Sequence, residues 1–90
     1  LTVSRESQEI VRFEELAAGL AARGQVDDAA AVYEQVVAMK RQVLGPGHPD
    51  LARTLHDLAL LQEHSGQLEE AGALWAEARR IVDSPDGDDA

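Results

Sequence analysis

Gly24-Gln25-Val26-Asp27-Asp28-Ala29 returns as Gly66-Gln67-Leu68-Glu69-Glu70-Ala71, an offset of 42 residues from position 24 to position 66. Moving outward from this echo, Leu16-Ala17 returns as Leu58-Ala59, Val32-Tyr33 as Leu74-Trp75, and Phe13 as Leu55. The chain is two copies of one unit. A fixed period in this range marks a stacked repeat, in which each unit buries its apolar face only against a neighbour. That shifts the expected function from catalysis toward binding.

Four helices are legible, with no competing strand pattern. Ile10, Phe13, Leu16, Ala17 and Leu20 follow three-and-four spacing and predict a first helix over Arg5 to Ala22, closed by Gly24. A second runs from about Asp27 to Leu44, with Asp27 and Asp28 at its positive end and Lys40 and Arg41 near its negative end. Ala29, Val32, Tyr33, Val36, Val37 and Leu44 form its apolar face. Gly45-Pro46-Gly47-His48-Pro49-Asp50 breaks the chain, and Pro49 is placed to open a third helix that reaches about His64. Its inward residues are Leu51, Leu55, Leu58, Ala59 and Leu61. A fourth helix starts near Leu68, carries Ala71, Leu74, Trp75, Ala78, Ile81 and Val82, and stops before Ser84-Pro85. The expected organisation is one two-repeat domain over 1–85, with repeat one at about 9–44, a linker at 45–49, and repeat two at about 50–84. The remainder, 86–90, is acidic and poor in apolar residues, and is expected to be disordered.

Composition narrows the function classes. With 17 acidic against 8 basic residues the net charge is −9, which repels nucleic acid and anionic lipid and favours basic or neutral partners. Without cysteine there is no disulfide and no thiolate metal site, which fits a reducing, cytoplasmic setting. No apolar run approaches the roughly 20 residues of a membrane helix, and no signal peptide is visible. A chain opening at Leu1 rather than Met is expected to be a piece of a longer protein. Aromatic residues make up only 3%, and alanine supplies much of the hydrophobic 44%, a balance that suits closely packed helices.

Leu44-Gly45-Pro46-Gly47-His48-Pro49-Asp50, followed by Leu51-Ala52-Arg53-Thr54-Leu55-His56-Asp57-Leu58-Ala59, resembles the tetratricopeptide repeat family in its kinesin-light-chain-like form. The resemblance covers about residues 9 to 83. It implies an all-α fold: two helix-turn-helix units, four antiparallel helices, stacked as a fragment of an α-solenoid. Within it, small Ala17, Ala29, Ala59 and Ala71 let paired helices approach closely, and Leu16 and Leu58 lock each hairpin. Tyr33 and Trp75 fill the space between successive pairs, Tyr33 against Leu55 and Leu58. The chain departs from the family pattern at Leu20 and Gln62, where tyrosine is usual, and at Gly19 inside a helix. It holds only two repeats, with no capping helix after Trp75.

By the family geometry the first helix of each unit lines a groove. The corresponding positions are Val11, Glu14, Ala18, Ala21 and Ala22, then Arg53, His56, Asp57, Leu60, Glu63 and His64. Glu14, Ala18, Arg53, His56, Asp57, Leu60 and His64 are the candidate peptide-binding residues, opposed by the plain alternative of a solvated helix face. Relatives that clamp a peptide carboxylate use lysine and asparagine where this chain has Glu14 and Ala18, so an apolar or basic segment is the expected partner. Leu74, Trp75, Ala78 and Val82 form a second candidate surface, an apolar edge with no following helix, for which a homo-oligomer built on the fourth helix is expected.

No chemical constellation accompanies these surfaces. His56 and His64 lie eight apart with Leu60 at the intervening i+4 place, so no metal-binding His-x-x-x-His pair forms. Ser4, Ser7, Ser65 and Ser84 stand at helix ends, where serine caps or turns. No nucleophile with a base and no phosphate-cradling glycine loop is present, so no cofactor and no enzymatic activity are expected. The acidic tail reads as a solvated end, or as a charged docking segment. The leading functional reading is a protein-interaction module that recognises a protein or peptide segment through its groove. The alternative is a self-assembly module of a larger protein.

Overall fold

Each repeat contains the same helix-ending device. Gly24 and Gly66 take φ of 80° and 84°, the left-handed region that a side chain resists. In the first repeat the Gln25 amide donates to the Leu20 carbonyl (2.9 Å) and the Gly24 amide to the Ala21 carbonyl (3.0 Å). In the second, Gln67 donates to Gln62 (2.8 Å) and Gly66 to Glu63 (3.0 Å). This paired 6→1 and 5→2 pattern satisfies the otherwise orphaned carbonyls and folds each unit back on itself. The computed structural model describes residues 4–83. It places α1 at Arg5–Ala22, α2 at Val26–Val43, α3 at Pro49–His64 and α4 at Leu68–Asp83, with no strand among the described residues. The expected acidic tail at 86–90 lies outside them.

The helix starts follow local chemistry. Ser4 Oγ accepts from the Ser7 amide (3.1 Å) to cap α1. His48 caps α3, its Nδ1 accepting from the Asp50 amide (3.0 Å), with Pro49 as the first helical residue. The histidine of the linker is thus a helix cap. α2 has no side-chain cap at Gln25, and it begins and ends one residue earlier than the sequence pattern suggested, within the ordinary fraying of a terminus.

α1 pairs with α2, α3 with α4, and α2 with α3, so two hairpins stack through the α2–α3 joint. Ala17, Ala29, Ala59 and Ala71 are all buried to within 1%, one on each helix. α3 has neighbours on both sides and carries seven buried residues, whereas α1 and α4 carry two each, so α3 is the core helix. Leu51, Ala52, Leu55 and Leu58 join Val37 and Ala78 in one cluster, and half-buried Tyr33, Leu74 and Ile81 pack against it. Tyr33 therefore packs against the cluster at the joint.

One expected equivalence fails. Leu58 is 2% exposed and Leu16 is 49% exposed. Leu58 lies in the cluster that Val37 of α2 and Ala78 of α4 share, so it has neighbours on both sides of α3. Leu16 occupies the same place on α1, which has no preceding hairpin among the described residues, and half of it stays exposed.

The joint also holds a buried charge. Lys40 stands in the last turn of α2, as expected, and is 0% exposed. Its ammonium bonds the Glu14 carboxylate of α1, the Asp50 carboxylate (2.8 Å) and Thr54 Oγ1 (2.7 Å) at the start of α3. A buried cation is tolerated only with this degree of pairing. The Lys40 bond depresses the Asp50 carboxyl below its ordinary value, against a smaller opposing effect of burial. One lysine thus ties three helices together.

Candidate functional site

α3 presents Arg53, His56, Leu60 and His64 at three-and-four spacing, so they share one face of the helix, and all four are exposed. The surface they lie on is divided in two. Arg53 and His56, with Pro49 and Ala52, form one wall of a cleft of about 800 Å³ whose other wall is Trp75, Ala78, Arg79 and Val82 of α4. Asp57, Leu60 and His64 instead border a smaller depression of about 460 Å³, with Leu61, Tyr33 and Ala21. Burial, and then the negative charges of Asp57 and Glu14, raise the pKa of the Tyr33 hydroxyl, so it stays a neutral donor at the floor of that depression.

The remaining candidates are dispersed. Glu14 is half-buried and its carboxylate is engaged by Lys40. Ala18 is exposed on α1. Of the edge residues, Trp75, Ala78 and Val82 line the large cleft, while Leu74 turns to the other side of α4, toward Val37, Arg41 and Leu58. There Arg41 holds the Glu77 carboxylate through both terminal nitrogens, the longer bond at 2.9 Å, and bridges α2 to α4. The two surfaces that the sequence kept apart, groove strip and helix-four edge, therefore share the large cleft.

Trp75 is not left standing in solvent. Its indole N–H donates to Glu63 Oε2 (2.7 Å), and its ring meets His56 edge to face at 4.6 Å between centroids. Both partners are on α3, so the tryptophan folds back onto its own hairpin and is half-buried. Val82, one turn beyond Ala78, remains 68% exposed.

The depth of the cleft has a cause in the repeat register. Ala52 and Ala78 occupy the places that Ile10 and Val36 hold in the first unit, and the smaller side chains leave a hollow. Its floor is apolar, and its rim carries His56 and two arginines, Arg53 and Arg79, on a chain of net charge −9. Arg53 lies 3.7 Å from Asp50 and Arg79 3.6 Å from Asp83, exposed pairs of small energetic weight. Pro49, Ala52 and Arg79 were missed as lining residues, although the 42-residue register pointed to them through Ser7, Ile10 and Val37.

Among the described residues no three His, Asp or Glu side chains converge on a point where a metal ion could sit. None of the four helices is long and apolar enough to cross a membrane.

The hairpin geometry, the stacked joint and the repeated turn define a class, the helical repeat proteins. The tetratricopeptide repeat family model matches residues 9–84, and the chain belongs to that family, whose repeats generally mediate protein–protein interaction. No curated protein matches the chain at a significant level.

Proposed function

We propose that the chain is a non-enzymatic module that recognises an apolar segment of another protein along α3, using the cleft and the strip Arg53, His56, Leu60 and His64. The observation that carries this reading is the large cleft with an apolar floor and a polar rim that includes Arg53 and Arg79, the arrangement expected of a binding site that takes an amphipathic helix. Carboxylates of the partner would meet Arg53 and Arg79, and its basic residues would meet Asp57 and Glu63 further along α3. The linker Leu44–Asp50 favours the kinesin-light-chain-like branch of the family, and the cysteine-free sequence suits a cytoplasmic setting. The test is selection of helical peptides from a displayed library. Peptides that bind the parent should be lost on an Arg53→Glu, Leu60→Asp double variant that keeps its helical circular dichroism. Retention of every selected peptide by that variant would move the site elsewhere.

A second reading is self-association through α4. The exposure of Val82 at 68% beside half-buried Trp75 supports it, since that edge is the apolar surface a further hairpin would cover. Mass measurement across concentration tests it, and a strict monomer would remove it.

A further inference from the structure

Resting on the self-association reading, we infer that the cleft between α3 and α4 receives α1 of a second copy, stacked head to tail as α3 stacks on the first hairpin within the chain. The internal joint is the template. On the first hairpin, Val37 and Lys40 are 7% and 0% exposed, Val37 clustered with Leu51, Leu55 and Leu58 of α3 and Lys40 bonded to Asp50 and Thr54. Their counterparts 42 residues on, Arg79 and Val82, are exposed. The surface that α3 occupies once is repeated, and among the described residues its second occurrence is open.

α1 supplies the matching face. Leu55 and Leu58 enter the internal joint, and their counterparts Phe13 and Leu16 are half-buried and 49% exposed on the free side of α1. The differences between the two surfaces are reciprocal. Where the first surface has Lys40, its helix brings Asp50, and where the second has Val82, α1 brings uncharged Gln8. Where the first surface has Val37, the incoming helix brings Leu51 of the same buried cluster, and where the second has Arg79, α1 brings Glu9. Where the second hollow is enlarged by Ala78 in place of Val36, α1 carries the larger Phe13 in place of Leu55. No charge is brought to Val82, cation meets anion, and the larger ring meets the larger hole. Arg12 in place of Thr54 is an unmatched exchange.

Such an interface uses two different surfaces and does not close on itself, so it yields open-ended oligomers rather than a two-fold dimer. That distinction supplies the test. Sedimentation velocity is run from micromolar to millimolar chain, at physiological salt to screen the net charge, on the parent, on Leu16→Glu, on Val82→Glu, and on an equimolar mixture of the two variants. Both positions are exposed, and far-UV circular dichroism verifies that both variants fold. The parent should grow in mass with concentration, and each variant alone should associate at least about tenfold more weakly. The mixture should recover a one-to-one dimer and no larger species, because one variant keeps the cleft and the other keeps the α1 face. A parent dimer that Leu16→Glu leaves intact, or a mixture without rescue, would overturn head-to-tail stacking while leaving self-association standing. A parent that stays monomeric throughout would overturn both, and would leave the cleft to a helix of another protein.

Discussion

Replacing Lys40 by methionine keeps most of the side-chain stem and removes the cation that ties α1, α2 and α3. Lys40 is 0% exposed, so the loss strands the Glu14 and Asp50 carboxylates and one bond to Thr54. Breaking a buried ion pair from one side costs about 3–5 kcal/mol when the remaining charge is fully enclosed. Here the Glu14 and Asp50 side chains keep 28% and 39% of their exposure and recover part of their hydration. The expected cost is therefore about 2–3 kcal/mol, a large share of the roughly 5–15 kcal/mol of a whole domain. In urea, with a slope of about 1 kcal/mol per molar for a small domain, the midpoint should fall by about 2–3 M. A Lys40→Met, Glu14→Gln, Asp50→Asn variant should recover part of the loss, because no unpaired charge then remains. A Lys40→Met variant that unfolds within about 0.5 kcal/mol of the parent would refute the idea that this cluster holds the hairpins together.

Further expectations concern pH, burial and the joint. Because the Asp50 carboxyl is depressed in the folded chain, its pairing with Lys40 contributes fully above the ordinary value of 3.8 and is lost as pH falls through the lower folded value. Acid titration of Lys40→Met should lack that part of the slope, and identical acid profiles would count against the pair. Gln62 is 5% exposed with Oε1 unpaired, so Gln62→Leu should stabilise by about 1 kcal/mol and raise the melting temperature. A lowered melting temperature would mean that the amide is satisfied after all. Tyr33→Ala should cost about 2–4 kcal/mol, below the range for a fully enclosed ring because Tyr33 is half-buried. A melting temperature within a few degrees of the parent would place the ring outside the joint.

Periodicity and turn chemistry made the fold legible. Two glycine-closed turns at one offset and a Gly-Pro linker set four helices, and the recurring alanines marked where paired helices meet. What the repeat could not tell was which copy of each position has a neighbour. Leu16 and Leu58 are the same residue in the same register, and only the position of α3 between two helices buries one of them. Lys40 reads as a helix-end cation on its own. Its burial depends on Glu14 and Asp50, 26 and 10 residues away, arriving together. For the candidate site, the strip along α3 was legible from spacing. Its union with Trp75, Ala78 and Val82 was not, because the shared cleft depends on how α3 and α4 cross and on two small residues, Ala52 and Ala78. Trp75 bonded back to Glu63 and set edge to face with His56 likewise depends on how α3 and α4 pack.

Trp75 is the one tryptophan of the chain, so its indole N–H gives a single assignable resonance at the heart of the cleft. The most direct measurement is the nitrogen–proton correlation spectrum of the full chain during titration with a selected helical peptide. If α3 and the cleft are the binding surface, the indole signal and the amides of Arg53, His56 and Val82 should shift together to saturation. An indole signal that stays in place at saturation, while exposed residues of α2 such as Ala31 and Ala38 shift instead, would contradict the account.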